Sequence, residues 1–193
     1  MRYAVLASGN GSNFEAIITA SKRGQIPGTL ALVFSDQPEA FVLQRAQAHQ
    51  VPATSFTVKE KGGKQAYEAA LLALLKAEKI DYLVLAGYMR IIGPELIAAF
   101  PSRIINIHPS LVPAFPGLHG IEDAFKYGVK VTGVTVHFVD QGVDTGPIIA
   151  QQAVTIGKLD TLDTLEEKIH QVEHQLYPQV LAEIVKEFHR DKE

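Results

Sequence analysis

Apolar positions come in short blocks: Tyr3 to Ala7, Leu30 to Phe34, Tyr82 to Ala86 and Arg103 to Ile107, with a weaker stretch near Ala53 to Phe56. Blocks of this length suit strands buried on both sides in a parallel sheet. Between them the apolar spacing turns helical. Phe14, Ile17 and Ile18 follow the first block, and further helices are expected around residues 39–49, 64–79 and 93–99. Strands alternating with helices close into right-handed βαβ units. The chain is therefore predicted to be an α/β protein with a Rossmann-like, mostly parallel twisted sheet and helices on both faces.

After the fifth strand the regularity breaks into a proline-rich loop from Pro109 to Pro116, followed by a short helix near 120–127. Lys130 to Val139 alternates: Val134, Val136 and Phe138 fall on one face and Thr135 and His137 on the other, the pattern of a half-exposed strand. A turn at 141–146 leads into a returning strand, Pro147 to Val154, so an antiparallel strand is expected near the C-terminal end. The last helix carries the stripe Leu165, Ile169, Val172 and Leu176. Thr164 and Glu167 fit a capping box at its start, and Pro178 is expected to kink or restart it.

The 193 residues suffice for one sizeable core, so a single domain over 1–193 is expected. A net charge of -3, without a run of basic residues among aromatics, argues against nucleic acid as a partner. No cysteine is present, which excludes disulfides and thiolate chemistry. The N-terminal apolar run is too short for a signal peptide, and no run approaches the roughly 20 residues of a membrane span, so a cytoplasmic location is expected.

Candidate chemistry gathers in two places. Gly9 and Gly11 follow the first strand and open a helix near Ser12 or Asn13, where outward amides and the helix dipole suit a phosphate. The same residues also suit a tight turn in which Ser12 caps the helix and Glu15 completes the box; the two readings are compatible. Phe14 stands where a dinucleotide fingerprint needs its third glycine. Asp36, near the end of the second strand, would suit a ribose, or else simply turns the chain in Ser-Asp-Gln-Pro-Glu.

The second place is the end of the fifth strand. Alternation puts Asn106 and His108 on the same side of its carboxyl end, the edge where open α/β sheets bind ligands. An amide there can donate to a developing oxyanion, and an imidazole can donate or move protons. Asp144, in a Gly-rich turn, can reach the same edge and favour the imidazolium. His119 and His137 raise the question of a metal, but neither belongs to a His-x-x-x-His pair, and His137 is expected to bond loop groups.

Ser8 to Asn13, Ala86 to Ile91, Asn106 to Pro113, Pro116 to His119 and Gly142 to Pro147 together resemble the folate-dependent phosphoribosylglycinamide formyltransferases, over essentially the whole chain. The resemblance implies transfer of a formyl group from 10-formyltetrahydrofolate, a co-substrate, to the amine of glycinamide ribonucleotide, without a metal. It implies catalysis by Asn106, His108 and Asp144, phosphate binding by Gly11, Ser12 and Asn13, and contact of Glu173 with the sugar or glycinamide. The folate would lie along Met89, Arg90, Ile91 and Ile92 and against residues 140–144, including Asp140 and Val143. Lys64 would stand near its glutamate tail in place of an arginine and lose the bidentate fork. Residues 1–100 would be mainly the phosphate-binding half; residues 101–193 would carry the catalytic loop, the folate-site strands and the C-terminal helix. A cis Val112–Pro113 peptide is also implied.

Rival readings separate by architecture. A transfer-RNA formyltransferase resembles this domain plus a basic C-terminal module, and a formyl-folate hydrolase adds an N-terminal regulatory domain. A chain that begins at strand one and ends after its last helix is expected to be neither. A nicotinamide dehydrogenase would rest on Gly9, Gly11 and Asp36, and a non-catalytic nucleotide-binding module on the loop alone.

Overall fold

In the computed structural model, which describes residues 1–190, the chain runs β1 (Arg2–Leu6), α1 (Ser12–Lys22), β2 (Thr29–Ser35), α2 (Phe41–Ala48), β3 (Ala53–Ser55), α3 (Lys64–Ala77), β4 (Tyr82–Leu85), α4 (Pro94–Ala99), β5 (Ile104–His108), α5 (Gly120–Tyr127), β6 (Val131–Phe138), β7 (Ile148–Thr155) and α6 (Leu162–Arg190). The sheet order is β3-β2-β1-β4-β5-β6-β7. The first five strands are parallel; β6 runs antiparallel to β5, and β7 antiparallel to β6. Strand order reverses between β1 and β4, which places the loops after both strands at the switch point where α/β sheets receive ligands.

Alternation along each strand divides the core in two. Val5, Val84, Ile105 and Ile107 pack in one cluster with residues of α1, α2 and α6. Leu6, Leu83, Leu85 and Ile104 pack in the other with Leu71 and Leu75 of α3 and Leu96 of α4. Asn106 and His108 therefore stand on the α3/α4 side of the sheet. At the carboxyl end of β5 the Phe115 carbonyl and Asp144, which the Gly117 amide holds, stand against that face.

Three local expectations are corrected. β6 is not half-exposed: every residue from Thr132 to His137 is buried, because the strand lies between β5 and β7 and its polar face lies beneath the proline loop. Thr135 Oγ1 donates to the Ser110 carbonyl (2.6 Å) and accepts the Val112 amide (3.2 Å), and the Val112–Pro113 peptide is cis. The helix cap lies one turn earlier than expected. Thr161 and Thr164 exchange bonds, each hydroxyl accepting the other's amide (3.2 and 2.9 Å), so Thr164 sits inside α6. The helix also runs on through Pro178 without restarting; Tyr177 and Pro178 are buried there, and the Tyr177 hydroxyl donates to the Leu85 carbonyl (2.8 Å).

Candidate active site

At the carboxyl end of β5, three predicted side chains meet. His108 Nδ1 lies 3.3 Å from Asp144 Oδ2, and Asn106 Nδ2 lies 3.5 Å from Asp144 Oδ1. Asp144 comes from the turn between β6 and β7 and holds a left-handed backbone, φ 55°. The Gly117 amide donates to its Oδ2 at 2.8 Å, which ties that turn to the proline loop. Burial raises the Asp144 pKa. Its hydrogen bond with His137, the Gly117 amide and the charges of His108 and His137 outweigh burial, and the carboxyl ends below its ordinary value.

His108 is enclosed, with its Nε2 on the Phe115 carbonyl at 2.8 Å. Both ring nitrogens thus face oxygen acceptors, and only the doubly protonated ring donates to both. A Cβ at Gly120 would sit 3.1 Å from Nε2 and from the Phe115 carbonyl, so a side chain there would push the ring or its acceptor by a few tenths of an ångström.

His137 joins this cluster, which sequence reasoning missed. Its Nδ1 donates to the Phe138 carbonyl (2.8 Å), and its Nε2 lies 3.3 Å from Asn106 Nδ2 and 3.5 Å from Asp144 Oδ1. The alternation of Thr135 with His137 was the available signal, but only the antiparallel register, which sets His137 opposite Asn106, gives it meaning. His119 stays apart: it precedes α5 and pairs at 3.7 Å with Glu122. Among the described residues no group of three or more His, Asp or Glu side chains is arranged to hold a metal ion.

The glycine loop is built differently from the cap reading. The residue preceding α1 is Gly11 (φ 77°, ψ 30°), without a side-chain cap bond, and Ser12 is already helical. A Cβ at Gly11 would sit 2.6 Å from Val42 Cγ2, so both the backbone and the space demand glycine. Glu15 does not close a box. Its carboxylate takes Arg45 Nη1 (3.1 Å) and His49 Nε2 (2.7 Å), which lower its pKa against the opposing effect of burial. Arg45 also donates to the Asn10 carbonyl and side chain, fixing the loop from outside.

Asn13 donates to Glu173 Oε2 at 3.2 Å across 160 residues, joining the loop to α6. Its Oδ1 is buried without a partner, and Glu173 is also buried, in line with the apolar stripe of α6. A cavity opens beside Ser12, between α1 and α6, with Arg45 and His174 in its wall; it extends the glycine loop, not the cluster at Asp144.

The family model described as formyl transferase matches residues 1–181. The chain belongs to the formyl transferase family. This formyl transferase is 49% identical to the phosphoribosylglycinamide formyltransferase of Bacillus subtilis, over 95% of this chain and 94% of that one. It is 38% identical to that of Escherichia coli, over 94% and 86%. The crystal structure of the phosphoribosylglycinamide formyltransferase from Bacillus halodurans superposes with a TM-score of 0.93 at 53% identity, covering 96% of this chain and 95% of that one.

The remaining predicted residues of the formyl transferase form a rim. Met89, Ile91 and Val143 expose apolar side chains (61%, 64% and 50%), whereas Ile92 is buried beneath the same loop in the α3/α4 cluster. Asp140 shapes the turn that carries Val143 and Asp144, because its Oδ1 accepts the Gly142 amide (2.9 Å) and the Thr145 hydroxyl (2.7 Å). Lys64 is exposed at the first position of α3, one turn before Tyr67, whose ring lies under Arg90. The ribose reading of Asp36 is corrected: its carboxylate is buried and already accepts from Ser8, Gln37 and Arg90.

Glu173 carries a stability prediction. Burial raises its pKa, against the charge of His170 and the Asn13 bond. A carboxyl whose folded pKa lies above its unfolded value favours folding most in acid, and that advantage is lost as pH rises through the folded pKa. Glu173→Gln does not titrate, and its amide can pair with both Asn13 atoms. Thermal melts should show a higher Tm for the variant near pH 8, with the difference shrinking toward about pH 4.

Proposed function

We propose that this formyl transferase moves the formyl group of 10-formyltetrahydrofolate to the amine of 5'-phosphoribosylglycinamide, yielding formylglycinamide ribonucleotide and tetrahydrofolate in purine synthesis. The observation that carries the reading is the convergence of the Asn106 amide and the His108 imidazole on the one Asp144 carboxylate. An amide donor and a cationic ring beside a fixed anion are what acyl transfer to an amine requires.

In this reading the acceptor's phosphate lies against the amides of Gly11, Ser12 and Asn13. Its sugar or glycinamide meets Glu173 and the unpartnered Asn13 Oδ1, buried acceptors that call for a ligand's hydroxyl or amine protons. The folate lies along Met89, Arg90, Ile91 and Ile92, with Asp140 and Val143 opposite and Lys64 near its glutamate. Residues 1–100 serve mainly the phosphate, and residues 101–193 supply the catalytic loop, folate-site strands and last helix of one domain.

As the amine attacks the formyl carbon, charge develops on the formyl oxygen. Asn106 Nδ2 donates to it, and His108 Nε2–H exchanges the Phe115 carbonyl for it, while Nδ1 stays on Asp144. The carbon–nitrogen bond to the folate then breaks. The proton lost by the attacking amine reaches the departing folate nitrogen through water, with Asp144 and His108 holding the intervening charge.

The net charge and the lack of a basic run support two small molecules as the only substrates, with neither nucleic acid nor membrane as partner. No helix among the described residues is long and apolar enough to cross a membrane. A cytoplasmic monomer or homodimer fits this reading. Mixing the protein with glycinamide ribonucleotide and 10-formyltetrahydrofolate should change the folate's ultraviolet absorbance. Thermal stabilisation by a dinucleotide, without that change, would instead support a nucleotide-binding module.

A further inference from the structure

Asp36 lies one residue beyond β2, at the switch point, and is 1% exposed. Its Oδ1 accepts the Ser8 hydroxyl at 2.5 Å; its Oδ2 accepts Arg90 Nε at 2.7 Å and Gln37 Nε2 at 3.0 Å. Ser8 Oγ in turn accepts the Met89 amide at 2.9 Å, and the Ser8 amide donates to the Gly87 carbonyl at 2.9 Å. One buried carboxylate thus holds two consecutive residues of the loop after β4, Met89 through Ser8 and Arg90 directly. Arg90 spends only Nε on it. The guanidinium lies 5.5 Å over the Tyr67 ring, the side chain stays 37% exposed, and among the described residues neither terminal nitrogen has a protein acceptor.

We propose that Asp36 is a positioning residue for the folate side of the site: it fixes Arg90, and with it the Met89–Ile92 wall, in the shape that receives the formyl donor. The proposal rests on the formyl-transfer reading for the identity of that donor. Asparagine at 36 can still accept from Ser8, but it presents an amide donor or a neutral oxygen to Arg90. The loss is therefore confined to the Oδ2 partners, Arg90 and the exposed Gln37, and leaves the bond to Ser8 and the glycine loop in place.

The test measures the Kd of 10-formyltetrahydrofolate by calorimetry without acceptor, beside kcat and both KM values, for the unsubstituted enzyme, Asp36→Asn, Arg90→Ala and the double variant. Losing a hydrogen bond to a charged group should raise the donor Kd and KM about ten-fold in Asp36→Asn, with kcat and the ribonucleotide KM nearly unchanged. In the Arg90→Ala background, Asp36→Asn should add nothing. The proposal is overturned by an unchanged donor Kd, by equal losses in kcat and both KM values, or by a full additional effect in the double variant. If Asp36→Asn does not fold, Arg90→Lys, which keeps the charge but has no Nε, decides the matter. A comparable rise in donor Kd supports the proposal, and an unchanged Kd overturns it. An unsubstituted enzyme that binds the donor but transfers nothing refutes the formyl-transfer reading alone, because the Kd values still decide the role of Asp36.

Discussion

His108→Ala is expected to lower kcat about 10²- to 10⁴-fold, the range for loss of a positioned proton-bearing group. The ring is enclosed, and each nitrogen faces an oxygen, Asp144 Oδ2 at 3.3 Å and Phe115 O at 2.8 Å. Alanine removes the imidazole that, in this account, carries a proton from Asp144 toward the reacting carbonyl. Asp144→Asn should lose a similar amount by another route. The carboxylate is held charged by His137, Gly117 and the neighbouring imidazoles, and an amide in its place cannot stabilise a cationic ring. Because the two act as one unit, the double variant should be scarcely slower than the worse single variant. Steady-state kinetics with both substrates saturating checks this; two losses that multiply would show that the residues act separately.

Asn106→Ala is expected to lower kcat about 10²- to 10³-fold, as for removal of one oxyanion donor. Asn106 Nδ2 has two protons. One goes to Asp144 Oδ1 (3.5 Å), beside His137 Nε2 (3.3 Å), which orients the amide and, in this account, leaves the other for substrate. The KM for the ribonucleotide should hold, since the glycine loop lies across the sheet's switch point and does not contact Asn106. Asn106→Asp, which keeps the shape but offers an acceptor, should be as slow as alanine. A variant near full turnover would remove Asn106 from the oxyanion site.

Much of this architecture was legible in the chain, because parallel-sheet units write themselves locally. Short apolar runs such as Tyr3 to Ala7 became strands, and period-two alternation correctly put Asn106 and His108 on one side of β5. What sequence reasoning missed depends on pairing between distant segments. Thr135 and His137 looked solvent-facing because alternation reports polarity and cannot say that a proline loop will cover that face. Asp36 looked like a ribose contact or a turn residue until Ser8 and Arg90, 28 and 54 residues away, closed on it. The capping errors have a shared cause. At Ser12 and Thr164 the pattern matched, but a left-handed Gly11 and a reciprocal pair with Thr161 had already supplied the helix starts.

A single turnover with the formyl carbon of 10-formyltetrahydrofolate isotopically labelled, run with glycinamide ribonucleotide and the unsubstituted enzyme, tests the central claim most directly. Label appearing in the ribonucleotide amide in step with tetrahydrofolate, and slowed in the Asn106, His108 and Asp144 variants, is the predicted result. Label appearing as free formate, or remaining on the folate, would contradict it.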